Sequence, residues 1–245
     1  QDLSSNVFEL AETLTVAGND LKQCHHPAWA LSLLSGAVRH LQYWDWEWKP
    51  ADAAEPNLVD RLKALAYARL GEARYTIQRQ RPARVRDCTG AVEALSAARP
   101  LLKALYDAEP DTWRSEYPLA LARLGGARLR QQKWASAEQA YVEARPLLKA
   151  LYDADKEKWR HDYALALANL GGARLRQQKW ASAEQAYVEA RPLLKALYNA
   201  EPDTWRSQYP LTLLQLGGAR LQQQKWASGE DALAEAEPLL KALYD

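Results

Sequence analysis

Between positions 113 and 130 the chain sets Trp113, Tyr117, Leu121, Leu124 and Leu129 at mostly three- and four-residue steps. That spacing gathers the apolar groups into one stripe and predicts a helix over Trp113–Arg130. Asp111 and Thr112, behind Pro110, read as its N-cap residues. Gln131-Gln132-Lys133 then reads as a tight connection to a second helix from Trp134, with Ala137, Tyr141 and Ala144 on one face. Small side chains there let two backbones come close, and Tyr and Trp fill the remaining gap. Pro146 falls inside this second helix. An interior proline removes a hydrogen bond, so the pattern predicts a kink, or a short break before Leu147–Tyr152 resumes.

The hairpin is written three times. Gly125–Tyr152 recurs letter for letter at Gly171–Tyr198, and a drifted copy fills Gly217–Tyr244. Trp134, Trp180 and Trp226 stand 46 residues apart, as do Trp113, Trp159 and Trp205. A fixed period of this size means one small unit stacked on copies of itself, each touching only its neighbours. The order Leu121, Leu124-Gly125, Trp134, Ala137, Tyr141, Ala144 resembles the tetratricopeptide repeat (TPR) family. It recurs as Leu167, Leu170-Gly171, Trp180, Ala183, Tyr187, Ala190, and as Leu213, Leu216-Gly217, Trp226, Gly229, Leu233, Ala236. The usual unit has about 34 residues. The longer unit here is similar to the extended repeats of kinesin light chains and many bacterial scaffolds. Two departures stand out: the family's Tyr three residues after the glycine is Arg128, and its closing Pro is displaced by the longer second helix.

Two degenerate copies precede these. Tyr67, Leu70-Gly71, Ala91, Leu95 and Ala98 fit the pattern with an insertion around Arg79–Cys88, and Leu14, Gly18, Leu21, Ala30, Leu34 and Ala37 fit it more loosely. The expected organisation is therefore a degenerate hairpin and aromatic-rich connection over 1–56, a divergent repeat with a basic insertion over 57–110, and three near-identical repeats over 111–245. The resemblance implies an all-α fold, a right-handed α-solenoid of helical hairpins, the TPR-like superhelix. Asp245 stands at a repeat boundary without a polar capping helix. That leaves two expectations, a protein that continues or copies that associate end to end.

Charge narrows the partners. Lys+Arg 32 against Asp+Glu 31 gives a net +1, so no global field draws the chain to nucleic acid or an anionic membrane. No apolar run approaches the roughly 20 residues that span a bilayer. Two cysteines, Cys24 and Cys88, are too few for a disulfide framework, and whether they pair is left open. The expected compartment is cytoplasmic; the start at Gln1 without any Met keeps an exported mature form open.

Candidate chemistry is sparse. Neither a nucleophile elbow, a phosphate-cradling glycine loop nor a His-Glu zinc motif is found, so no enzyme and no cofactor is expected. Cys24-His25-His26 is the one metal-like cluster, and it lacks a second Cys/His pair nearby. The basic run Arg79–Arg86 reads as a solvated loop or an anion grip, and Trp44, Trp46 and Trp48 as junction packing or an aromatic docking patch.

The identical copies show where change is tolerated: Ala122-Arg123 becomes Ala168-Asn169 and then Leu214-Gln215. In the register of the resemblance these first-helix positions face a concave groove that takes peptides. The positions also fit plain solvent-facing drift. Gly126, Gly172 and Gly218 follow the packing glycine, leaving room for a ligand backbone or for close helix packing. Arg130, Arg176 and Gln222 lie one turn further on. The family's carboxylate-clamp positions hold Leu119, Ala122, Gly126, Leu165 and Asn169, so that clamp is absent. The expected function is a non-catalytic protein- or peptide-binding scaffold. The alternatives are a self-assembly module or a sensor region cut from a larger bacterial protein.

Overall fold

The computed structural model describes residues 27–43, 58–80 and 87–243, and among these every regular element is a helix. Two compact units divide the chain, Gln1–Gln131 and Gln132–Asp245. The first contains α1 (Pro27–Tyr43), α2 (Leu58–Gln80), α3 (Thr89–Ala108) and α4 (Glu116–Arg130). The second contains α5 (Trp134–Ala154), α6 (Lys156–Arg176), α7 (Trp180–Ala200), the single turn α8 (Pro202–Trp205), α9 (Gln208–Leu221) and α10 (Trp226–Lys241). The fold is all-α and built of helical hairpins. Within each unit successive helices pack on one another, except that α8 and α9 both pack on α7. First helices also touch one another, α2 with α4 and α6 with α9. Leu14, Gly18 and Leu21, the Cys24–His26 cluster, Trp44, Trp46 and Trp48, and residues 81–86 of the basic run lie outside the described residues.

In the first unit, Leu34, Ala37 and Val38 of α1 pack with Leu62, Ala66, Leu70 and Ala73 of α2, joined by Ala94 of α3. Leu70, Ala91, Leu95 and Ala98 are buried. Cys88 is buried beside Ala91 and Ala127. In the second unit Ala183, Tyr187, Leu216 and Ala232 form a shared cluster.

Helix ends depart from the expectation. The first helix of the 111–156 copy starts at Glu116, not Trp113, and the N-cap is Ser115 without a side-chain bond; Asp111 and Thr112 lie in a turn instead. The cause is Pro118, which cannot donate to a carbonyl four residues back and fits most easily in a first turn, where no such bond is needed. Pro210 acts likewise, separating α8 from α9. The middle copy carries Ala164 at that position and Lys156 in place of Pro110. There the helix runs unbroken from Lys156, and Asp155 accepts a cap hydrogen bond from the Lys158 amide at 3.1 Å.

Of the two outcomes expected at the second-helix prolines, a kink or a break, the break does not occur. α3, α5, α7 and α10 continue through Pro100, Pro146, Pro192 and Pro238 without a break. All four prolines are exposed. The carbonyl each leaves without a donor lies on the same side, where water can satisfy it.

The tight connections are αL turns occupied by glutamine: Gln132, Gln178 and Gln224 have φ of 59°, 59° and 61°. In the second unit the Lys179 amide donates to the Arg174 carbonyl and the Gln178 amide to that of Leu175, both at 3.0 Å; Lys225 and Gln224 repeat this on Arg220 and Leu221. This double bonding closes the helix end and holds a side-chain-bearing residue in a conformation glycine would take more easily.

Two carboxylates tie successive repeats of the second unit together. Glu138 of α5 accepts from Arg174 at 3.0 Å, Gln177 at 2.9 Å and Lys179 at 2.5 Å. Glu184 of α7 accepts from Arg220, Gln223 and Lys225 at 2.9, 2.9 and 2.5 Å. Arg174 also donates to the Ser182 carbonyl. Arginine where the resemblance expects Tyr is thus an inter-repeat tie. On the other side Glu189 bonds Arg145 and the Tyr163 hydroxyl, and Glu235 bonds Arg191 and the Tyr209 hydroxyl. Burial, then the glutamate, pushes both phenols well above their usual range, so they stay protonated donors. Tyr152 stacks on Tyr163 at 5.5 Å, and Tyr198 lies tilted against Tyr209 at 5.6 Å.

Burial alone would raise Glu138 and Glu184, but the bonds from lysine, arginine and glutamine outweigh it and both carboxyls are lowered. A carboxyl lowered on folding stabilises the native state above its unfolded value and loses that contribution as pH falls. Glu184→Gln is therefore expected to lower Tm at about pH 6 and to differ much less from wild type at about pH 3, checked by thermal unfolding across pH. Ala164→Pro is expected to split α6, so that amides of 160–163 lose hydrogen-exchange protection while those beyond Leu167 keep it.

Candidate functional site

On each first helix the candidate residues fall at steps of three and four, so they share one face. On α6 these are Asn169, Gly172 and Arg176. On α9 they are Gln215 and Gly218, followed by Gln222 at the helix cap. On α4 they are Arg123, Gly126 and Arg130.

In the first unit this face is largely engaged. Arg123 forms a 2.5 Å ion pair with Glu72 of α2 and keeps a quarter of its side chain exposed. Arg69 of α2 reaches Glu72 at 3.0 Å and Glu116 of α4 at 2.8 Å, so two glutamates and two arginines bind α2 to α4. Gly126 is buried. Arg130 lies over the Tyr75 ring at 5.4 Å, and its Nε finds no hydrogen-bond partner among the described residues.

In the second unit the face is more open. Asn169, Gly172, Gln215 and Gly218 are half-buried, and Arg176 and Gln222 are exposed. Arg176 stacks over Trp134 at 5.9 Å, which fixes the direction of its guanidinium. Ala168 is not on this surface. It is buried inside the unit, so of the variable pair only Asn169 reaches the half-exposed face.

The paired glycines have different roles. A Cβ on Gly171 would sit 2.5 Å from the Tyr187 ring, and one on Gly217 would sit 2.7 Å from Leu233. Gly71 stands against Leu95 in the same way, at 2.5 Å. These first glycines exist because the facing side chain occupies the space. A Cβ on Gly172 would meet only the Tyr187 hydroxyl, at an ordinary 3.8 Å, and one on Gly218 would meet nothing within 4 Å. Hairpin packing therefore does not require the second glycine.

Exposed Leu211, Leu214 and Trp226 add apolar surface on α9 and α10; the sequence pointed to Leu214 but not to Leu211 or Trp226 as exposed surface. Leu214 is the variable position that replaces Ala122 and Ala168 of the other copies. Among the described residues no group of three or more His, Cys, Asp or Glu is placed to hold a metal, and no helix is long and apolar enough to cross a membrane.

No family model matches the chain. No curated protein matches it either. Solved structures do. The apo form of RapI is similar with a TM-score of 0.60 at 12% identity, over 97% of this chain and 72% of RapI. BtubC (BKLC) from P. vanneervenii aligns with a TM-score of 0.56 at 14% identity, over 100% of this chain and 93% of its own. A putative kinesin light chain from Podosopora anserina, described as having nearly identical TPR-like repeats, gives 0.56 at 12% identity over 97% of both chains. At these identities the likeness speaks for the fold, and the fold of this chain is that of a TPR-like helical repeat protein.

Proposed function

We propose that the chain is a non-catalytic scaffold that binds an extended segment of another protein along its first-helix faces. Asn169, Gly172, Arg176, Gln215, Gly218 and Gln222 carry the contacts, all within the second unit; Arg123, Gly126 and Arg130 form the corresponding face of the first unit by itself, where Glu72 and Tyr75 already engage the two arginines. The observation behind this is the second glycine. Each interior glycine costs a helix about 1 kcal/mol relative to alanine, and at Gly218 no packing neighbour offsets that cost. A bare patch of helix backbone flanked by amides and a fixed guanidinium suits the approach of another main chain. Asn169 and Gln215 offer both a donor and an acceptor to peptide groups, and Arg176 offers a planar fork to a carboxylate or carbonyl.

The glycine pair supplies a direct test. Gly218→Ala is expected to stabilise the protein by about 0.5–1 kcal/mol, whereas Gly171→Ala lowers Tm because its methyl group meets the Tyr187 ring. Peptides selected on the wild-type chain from a random display library are expected to lose affinity for Gly218→Ala and for Asn169→Ala/Gln215→Ala at unchanged or higher Tm. Undiminished binding by the Asn169/Gln215 double variant removes the assigned face.

A further inference from the structure

The side chains that close the hairpins are not alike. Leu95 stands against Gly71 and Leu233 against Gly217, while the Tyr187 ring stands against Gly171. Leucine brings no polar atom into such a contact. Tyrosine brings a hydroxyl, and the Tyr187 oxygen is buried without a hydrogen-bond partner among the described residues. A buried donor left unmade is a cost to the fold that phenylalanine or leucine at 187 would avoid. Hairpin closure accounts for the ring and leaves the oxygen unexplained.

The tyrosine spans the glycine pair. Its ring edge meets Gly171, and its hydroxyl ends beside Gly172, on the face of α6 that also holds Asn169 and Arg176. Outside the backbone of its own helix, a Cβ at Gly172 would have that hydroxyl as its one neighbour within 4 Å, at 3.8 Å. The methyl-sized space left by this glycine therefore leads to the oxygen. A ligand atom standing there has about 1 Å to close before it reaches the ~2.8 Å of an O–H···O bond.

The chemistry of the spot favours an acceptor. Burial raises the phenol far above its ordinary range, an effect the nearby charge of Arg176 opposes only in part, so the hydroxyl stays a protonated donor. The same positive charge favours a carbonyl oxygen over an amide N–H. In the next copy Leu233 carries no hydroxyl, and a Cβ on Gly218 would meet nothing within 4 Å. The two glycines thus offer a ligand unlike surfaces.

We propose that the Tyr187 hydroxyl is the specificity contact of this face: it donates to a main-chain carbonyl of a bound polypeptide segment laid over Gly172, and no equivalent bond is made at Gly218. The inference rests on the peptide-binding reading above and fixes one point of the ligand's register on α6. The segment supplies the partner that the free chain lacks. Segments that set anything but an acceptor over Gly172 forgo that gain.

The test uses the full chain and peptides selected on it from a random display library. Tyr187→Phe is expected to weaken their binding about fivefold at unchanged or higher Tm. Leu233 closes its hairpin with no oxygen, so the variant folds. Tyr163→Phe is the opposite case: its hydroxyl bonds Glu189, so Tm falls and affinity stays. Thioamide replacement of the peptide carbonyls, one at a time, is expected to find a position that matters for the wild type and no longer matters for Tyr187→Phe. Wild-type affinity in Tyr187→Phe overturns the proposal, and so does a lower Tm for that variant, which would give the hydroxyl a partner within the fold. Coupling of Tyr187 to a peptide side chain instead of a carbonyl overturns it too. Binding lost in Asn169→Ala/Gln215→Ala but kept in Tyr187→Phe defeats this inference and leaves the peptide-binding face standing; a library without binders removes both.

Discussion

Within each unit, hairpins are closed by a large side chain standing where a Cβ would otherwise be. The Tyr187 ring lies against Gly171, and Leu233 against Gly217. This contact fixes how near the two backbones come, and most of the architecture follows from it. With the helices that close, the facing positions have to be small, and Ala183, Ala186 and Ala190 are all buried. The apolar material that remains, Leu167, Leu170 and Leu194, is packed at the edges of the contact. Core density here comes from alternating one bulky ring with a bed of alanines.

Polar ties then set the order of the stack. Hydrophobic packing between repeats is non-directional, and alanine-rich faces would tolerate sliding. The glutamates remove that freedom, because Glu138 is satisfied by three donors from one helix end only when the next hairpin arrives in register. The αL glutamine matters to the same arrangement: the turn it makes carries Lys179 and Lys225 back toward the preceding repeat.

Much of this was legible in the sequence. The 46-residue period, the helix pairs, the packing glycine and the small-large alternation all depend on local spacing, which a single chain displays directly. What escaped depended on partners distant in sequence. Arg128 and its counterparts register only as a departure from the family pattern until Glu138 and Arg174 are seen together across 36 residues. Ala168 and Asn169 are neighbours in sequence, yet one is buried and the other half-exposed, which only the packing of α6 decides. The helix starts were readable and misjudged: Pro118 was present, but Asp111 and Thr112 gave a stronger local signal one turn too early. Of the candidate face, the stripe at three- and four-residue steps was predictable, while the engagement of Arg123 by Glu72 and the vacancy above Gly218 were not.

Letter-for-letter repetition has a kinetic side. During folding, Glu138 meets two equivalent sets of donors, one ending in Lys179 and one in Lys225, in surroundings that differ at only a few positions. Loop closure favours Arg174, 36 residues away, over Arg220, 82 residues away, by only about 0.7 kcal/mol, roughly threefold. The few letters that differ between copies, Ala164 for proline, Leu233 for Tyr187 and Glu237 for Arg191, therefore act as address labels. They penalise a chain that has threaded itself one unit out of place.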